Sequence, residues 1–238
     1  MSASTAPSAH HAAREFTPLP AQHEPRHLSP LTALPALTAL PTLTTPDDDA
    51  HLRDLHTRLV REAEEHGQLD VAYRTVSSAV GDLLLAATPA GVVRVAFAQE
   101  DFDVVLTELA ARLSPRVLAA PRRLDAAARQ LEEYFAGSRR RFDVPIDLTL
   151  AAGFRRQVLQ TLQTLPTIAY GRTASYAEVA RAAGSERAVR AVGSACATNP
   201  VPVLVPCHRV VRSDGTFGGY RGGVEAKRLL LGLEGVTA

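Results

Sequence analysis

A thiol in the run Asn199-Pro200-Val201-Pro202-Val203-Leu204-Val205-Pro206-Cys207-His208-Arg209-Val210-Val211 lies between a proline-punctuated apolar stretch and a histidine-arginine pair. The chain has two cysteines, and no histidine follows His66 except His208, so the single late imidazole adjoins one of the two thiols. Thiolate is the nucleophilic form of cysteine, and cationic or hydrogen-bonding neighbours draw its pKa from about 8.5 into the physiological range. Arg209 and His208 are the expected agents. Adjacent residues on a strand face opposite ways, so His208 is expected to act through a bend or a bridging water. The competing reading is an inert core thiol, since free cysteine is among the most buried residue types. Cys196, in the small-residue stretch Val192-Gly193-Ser194-Ala195-Cys196, fits that reading better than Cys207 does.

These residues need a scaffold, and the patterning supplies one. Residues 1–46 are rich in Ala, Pro, Ser, Thr and Leu, with a quasi-repeat from Leu31 to Pro41. Dense proline stops helix propagation and aromatics are scarce, so a disordered tail is expected. A signal peptide is disfavoured, because the amino end lacks a basic region and proline cuts the apolar stretch. His10, His11, His23 and His27 lack the ligand spacing of a metal site. Residues 47–66 read as a helix with Leu52, Leu55, Leu59 and Val60 on one stripe, capping a domain over 67–149. That domain opens with three strands, Val71 to Val76, Leu83 to Ala87 and Val92 to Phe97, the last two joined by the turn Thr88-Pro89-Ala90-Gly91. Two apolar helical stripes follow, one at Phe102, Val105, Leu106, Leu109 and Leu113 and one at Leu124, Ala128, Leu131 and Phe135. Asp143 to Leu148 is expected to return to the sheet. Residues 150–238 are mainly helical, with a run from Phe154 to Leu165 that Pro166 ends. Ser175 and Glu178 then make a capping box, and Gly184-Ser185 is expected to end that short helix and cap the next. Such a pair is a helix-turn-helix, a unit that binds nucleic acid or merely packs.

The chain of 238 residues is 46% hydrophobic, enough for a real core. Its net charge of +1 conceals an asymmetry: residues 150–238 carry eleven Lys or Arg against five Asp or Glu, a balance of +6 set against −5 elsewhere. A polyanion would select such a surface, although a solvated charge pattern reads the same way. Two cysteines eleven residues apart give no disulfide framework, which fits the reducing cytoplasm. No apolar run approaches a membrane span.

From Phe154 to Gly235 the sequence resembles the O6-alkylguanine-DNA alkyltransferases. The likeness centres on Pro206-Cys207-His208-Arg209-Val210 and continues, in order, through Ser175-Tyr176-Ala177-Glu178-Val179-Ala180, Ala188-Val189-Arg190-Ala191-Val192-Gly193, Asn199-Pro200, Gly219-Tyr220-Arg221-Gly222-Gly223 and Leu233-Glu234-Gly235. A weaker likeness reaches back to Leu69. The resemblance implies an α+β protein: a small ribonuclease-H-like α/β domain with a supporting role, then a winged-helix-like catalytic domain. It implies a DNA repair protein, a methylated-DNA–protein-cysteine S-methyltransferase, which moves an alkyl group from O6-alkylguanine in double-stranded DNA to its own Cys207, irreversibly and once per molecule. O4-alkylthymine is a second candidate lesion.

By the same resemblance, His208 deprotonates Cys207 through a water while Glu234 orients the imidazole. Tyr176 hydrogen-bonds the purine, and Asn199 locks the turn that carries the thiol. Arg190 fills the gap left by a flipped base, with Ala188, Ala191, Gly193 and Ser194 allowing close approach to DNA. Val210, Tyr220, Arg221, Gly222 and Cys196 line or flank the base pocket. No cofactor, no metal and a monomer are expected. Two departures stand out: Ala197-Thr198 replaces a position that is often basic, and Cys196 occupies an apolar pocket-flanking site. A DNA-binding lesion sensor and a cysteine hydrolase are the rival classes. Cysteine at 207 disfavours the first, and the vicinal Cys-His is an awkward dyad for the second.

Overall fold

Leu83 to Thr88 is apolar at nearly every position, the signature of a strand covered on both faces rather than one. In the structure, a computed structural model that describes residues 46–236, that strand lies inside a four-stranded sheet. The strands are β1 (Val71–Val76), β2 (Leu83–Thr88), β3 (Gly91–Phe97) and β4 (Val117–Ala119), in the spatial order β3-β2-β1-β4. The first three form an antiparallel meander, and β4 pairs with β1 in parallel. Alternation along β2 divides the core: Leu84 and Ala86 face helix α2 (Phe102–Arg112), meeting Val105 and Leu109. Leu83, Leu85 and Ala87 face the other way, onto helix α3 (Asp125–Phe135) and the helical half of the chain. The two halves therefore share one hydrophobic core.

The helical half comprises α4 (Gly153–Thr164), α5 (Tyr176–Ala182), α6 (Val189–Ala197) and α7 (Gly223–Leu233). A two-stranded parallel pair, β5 (Ala174–Ser175) with β6 (Val210–Val211), ties the start of α5 to the residues after Cys207. The Ser175–Glu178 capping box forms, with Ser175 Oγ accepting from the Glu178 amide at 3.2 Å and the Glu178 carboxylate accepting from the Ser175 amide at 2.6 Å. Gly184 closes α5 in the left-handed conformation, with the Ser185 amide donating back to the Ala180 carbonyl at 2.9 Å.

Three expectations require correction. Ser185 does not cap α6; a turn closed by the Ala188 amide on the Ser185 carbonyl puts Ser185 too far back, so Ala188 is the N-cap, with no side-chain cap. The helix over 47–66 is present as α1 (Pro46–Glu65), but Leu52, Leu55 and Leu59 are exposed, and only Val60 of that stripe packs, beside Ala63, against Leu69, Ala72 and Ala120. Asp143 to Leu148 makes a single bridge, Ile146 with Val92, rather than a strand, since Gly91 and Val92 are all of β3 that it reaches. The strand β4 escaped the sequence reading because three residues between two helices carry no period. Residues 1–45, which hold most of the expected tail and its four histidines, lie outside the described residues. Among the described residues no helix is long and apolar enough to cross a membrane.

Candidate active site

Asn199 is fully buried, and each of its side-chain atoms is used. Its Oδ1 accepts from the Val201 amide at 2.9 Å, while Nδ2 donates to the Val205 carbonyl at 3.0 Å and to Cys207 Sγ at 3.1 Å. One side chain thereby ties the Pro200–Pro206 turn to the sulfur. The turn is strained: Val203 has φ of 72°, a region that β-branched residues rarely enter and that persists only where the surroundings over-determine it.

The thiol is not poised as an anion. Burial pushes Cys207 up to about 11, and the Asn199 hydrogen bond and the charge of Lys227 only partly oppose it. Arg209, expected beside the thiol, is instead engaged with Glu234. Cys207, His208 and Arg209 form one turn of 3₁₀-helix rather than a strand, so successive side chains diverge by about 120°. Cys207 faces Asn199, while His208 and Arg209 face Glu234 at the end of α7.

Glu234 is the most heavily bonded side chain of the site. His208 Nε2 lies 2.9 Å from Oε1, Arg209 donates through Nε and Nη2 at 2.9 Å each, Tyr134 Oη donates at 2.7 Å and the Gly171 amide at 3.2 Å. Burial alone would raise this carboxyl, but the hydrogen bonds from His208 and Arg209 hold it at about 2. An anionic Glu234 fixes the proton of His208 on Nε2 and leaves Nδ1 as the acceptor. Nδ1 is buried and has no hydrogen-bond partner among the described residues. Burial keeps His208 below the ordinary imidazole value despite the pull of Glu234, so at neutral pH it is an uncharged base.

Tyr176, the first residue of α5, is half-buried, and burial with the nearby cysteine sulfurs pushes its phenol up to about 12, where it remains a donor. A Cβ at Gly218 would collide with its hydroxyl, and one at Gly222 would lie 2.6 Å from the Phe97 ring. The loop between these glycines is thus pressed between Tyr176 and the sheet. It carries Tyr220, whose ring packs edge-on against Phe97 at 5.7 Å and His208 at 6.4 Å, and whose buried hydroxyl has no partner among the described residues. Arg221 is held from outside, its Nε on Glu100 at 2.5 Å and its carbonyl on Gln99 Nε2 at 3.1 Å. Val210 is buried in β6, and Cys196 is buried in α6, where burial pushes its thiol well up.

Cys207, His208, Glu234, Asn199, Tyr176, Tyr220 and Val210 are gathered in this region. Arg190, Ala191 and Ser194 lie instead on the exposed face of α6, with Ala188 and Gly193 half-buried. Two participants, Lys227 and Tyr134, escaped the sequence reading, and a third, Arg209, has another role than the expected one. Lys227 is fully buried and donates to the Val210 carbonyl at 2.6 Å; burial lowers it from the ordinary lysine value. It shares a helical face with Leu230, Leu231 and Glu234, and a lysine at i in an i, i+3, i+4, i+7 apolar pattern is a readable signal. Arg209 serves the carboxylate rather than the thiol. Tyr134 arrives from α3, 100 residues from Glu234, and no local pattern announces it.

A buried thiol bonded by an amide, next in the chain to a neutral imidazole on an anchored carboxylate, is an arrangement suited to a sulfur that itself reacts. Known proteins narrow this. Residues 153–236 match the family model described as 6-O-methylguanine DNA methyltransferase, DNA binding domain, and residues 71–148 match the ribonuclease-like domain of the same family. The methylated-DNA–protein-cysteine methyltransferase of Mycolicibacterium paratuberculosis is 38% identical over 164 residues, covering 69% of this chain and 92% of that protein. The bifunctional transcriptional activator/DNA repair enzyme Ada of Escherichia coli is 36% identical over 196 residues, covering 79% of this chain and 53% of Ada. The crystal structure of Mycobacterium tuberculosis OGT in complex with DNA superposes with a TM-score of 0.59 at 37% identity, covering 68% and 92% of the two chains. The chain belongs to the 6-O-methylguanine DNA methyltransferase family.

Proposed function

We infer that this chain repairs DNA by transferring an alkyl group from O6-alkylguanine to Cys207. The observation that carries the assignment is the pair of contacts at adjacent residues: Asn199 on Cys207 positions one sulfur, and Glu234 on His208 orients a neutral base beside it in the chain. The thiol proton passes to His208 Nδ1 through a bridging water, and Glu234 stabilises the imidazolium that forms. Sulfur attacks the alkyl carbon in line, an S–C bond forms, and the C–O6 bond breaks with its electron pair going to the purine. Tyr176 donates a hydrogen bond toward the purine ring as its charge grows, and the proton taken by His208 returns through water to the purine, so guanine leaves neutral. A thioether has no ready route back, so each molecule acts once. No cofactor enters the balance.

The alkylated carbon is inaccessible inside a duplex, so the nucleotide must be extruded, at a cost of a few kcal/mol. We assign α5 and α6 to a helix-turn-helix whose second helix enters the minor groove, with Ala188, Ala191, Gly193 and Ser194 against the backbone and Arg190 in the gap left by the flipped base. The sheet half is then a ribonuclease-H-like support. Free buried thiols suit a monomer working in the cytoplasm. Mass spectrometry after incubation with a duplex holding one O6-methylguanine tests the assignment: one methyl per protein on the peptide containing Cys207 is expected. Unmodified protein, or repeated turnover, would refute it.

Arg190→Ala is expected to slow reaction with duplex DNA by roughly 10²-fold, the scale of losing a few kcal/mol of flipping support. Reaction with the free alkylated base should be nearly unchanged; equal losses on both substrates would remove Arg190 from this role.

The pH profile follows from the two perturbed groups. Thiol and neutral imidazole are the reactive pair, so the rate with free O6-alkylguanine should be level from about pH 7 to about pH 9. It should fall only in acid, below the ordinary imidazole value of 6.5, because the value for His208 in the folded protein is lowered. A tenfold climb per pH unit across that window would mean that solvent, not His208, takes the proton.

A further inference from the structure

Arginine side chains are gathered in a second place, outside the site above. Between the sheet half and the helical half lies a cavity of about 250 Å³ lined by Arg94, Arg112, Arg155 and Arg221, with Glu108 at its edge. Arg94, in β3, is buried, and it shares one oxygen of Glu100 with Arg221, both at 2.5 Å. Burial lowers Arg94 from the ordinary arginine value, and the charge of Arg221 adds to this against the pull of Glu100. Arg112 and Arg155 converge on a single neutral acceptor, the Leu150 carbonyl, and Arg155 also reaches Thr198 Oγ1 at 3.4 Å. No carboxylate pairs with Arg112 or Arg155 among the described residues. Four guanidinium groups therefore face two carboxylates, Glu100 and Glu108, leaving an excess of two positive charges in one cleft. Guanidinium groups held together without matching anions make a site for a planar or tetrahedral oxyanion, and phosphate is the ligand whose oxygens such forks fit.

We propose that this inter-domain cleft binds a backbone phosphodiester of the DNA strand, with Arg112 and Arg155 as its contacting arms. The assignment rests on the DNA-reading role given to α6. Thr198, on the cavity wall, is the C-cap of that helix, whereas Arg190 lies in its first turn. A nine-residue helix is about 13 Å long, and a minor groove about 6 Å wide brings the ends of such a helix beside the phosphates that wall it. The sheet half then takes part in DNA binding directly, through Arg112 at the end of α2, in addition to supporting the catalytic half.

The test measures affinity for an unmodified duplex as a function of salt, and transfer from the free alkylated base, for the full chain and for Arg112→Ala and Arg155→Ala. Each variant is expected to bind the duplex about 5-fold more weakly at moderate salt and to reduce the slope of log K against log salt by about 1. Free-base transfer should be unchanged, and Arg112→Lys should restore the slope. Unchanged slopes in both alanine variants would overturn the proposal, as would a loss of free-base transfer equal to the loss on duplex, which would make these arginines part of the pocket's architecture. If millimolar inorganic phosphate raises the melting temperature of the wild type but not of Arg112→Ala while duplex binding keeps its slope, the cleft takes a free phosphate and the DNA assignment falls. If instead the wild type leaves Cys207 unalkylated by either substrate, the repair reading fails on its own, and the duplex slopes still report on the cleft.

Discussion

Cys207→Ser is expected to abolish alkyl transfer, by on the order of 10⁶-fold, the scale on which removal of an activated nucleophile acts. The substitution changes one atom, and Asn199 Nδ2, 3.1 Å from Sγ, would still donate to a serine oxygen in that position. Shape, burial and the His208–Glu234 contact are preserved, so melting temperature and duplex affinity should stay near those of the wild type. Reactivity should not. Even the thiol needs a base, since burial holds it at about 11; a hydroxyl is far less acidic and a poorer nucleophile toward saturated carbon. Detectable methyl transfer by the serine variant, to any residue, would show that the sulfur is not the acceptor.

Arg209→Ala should give the largest loss of stability, about 3–5 kcal/mol, the scale of breaking a buried ion pair from one side. The Glu234 carboxylate is wholly inaccessible, and Arg209 supplies three of its hydrogen bonds, two of them from Nε, along with the opposing charge, while its Nη1 holds the Ile168 carbonyl at 2.9 Å. Without the guanidinium, the carboxylate keeps only His208, Tyr134 and the Gly171 amide, none of them a permanent cation. Its carboxyl would then rise from about 2, and the tautomer of His208 would be less firmly fixed. Urea unfolding measures the loss. Replacing both partners, with Arg209→Met and Glu234→Gln together, should recover part of it, because no uncompensated charge then remains buried. A loss under about 1 kcal/mol for Arg209→Ala would mean that water reaches Glu234. The sign of the acid response follows as well. Glu234 ionises at about 2 in the folded chain against an ordinary 4.5, so its contribution is complete above 4.5 and is lost as the pH falls toward 2.

Legibility divided according to how far apart the interacting residues lie. The strands β1 to β3 were visible as apolar or β-branched runs of six or seven residues bounded by turn signals, and the helices α2, α3 and α4 because each repeats its apolar residues at the helical period. β4, β5 and β6 were not, since two or three residues hold no period and exist only through a partner strand. Capping was half legible: the Ser175–Glu178 box is a local exchange of hydrogen bonds, whereas the role of Ser185 depended on a turn whose length the residues do not fix. Around the thiol, Asn199, Cys207 and His208 could be read from one continuous run, and Glu234 came from a resemblance.

By itself the sequence singled out Cys207 rather than Cys196 as the candidate nucleophile, because a histidine and an arginine follow it directly, and the resemblance gave Asn199 and His208, within ten residues of one another, their expected roles. Only the tertiary structure decided the burial that pushes the Cys207 thiol up, the assignment of Arg209 to Glu234, the reach of Tyr134 across 100 residues and the meeting of four arginines between the halves. The physical reason is that burial and charge act through space. A pKa or an ion pair sums contributions from every element packed nearby, and which elements those are is settled by the fold and not by neighbours in the chain.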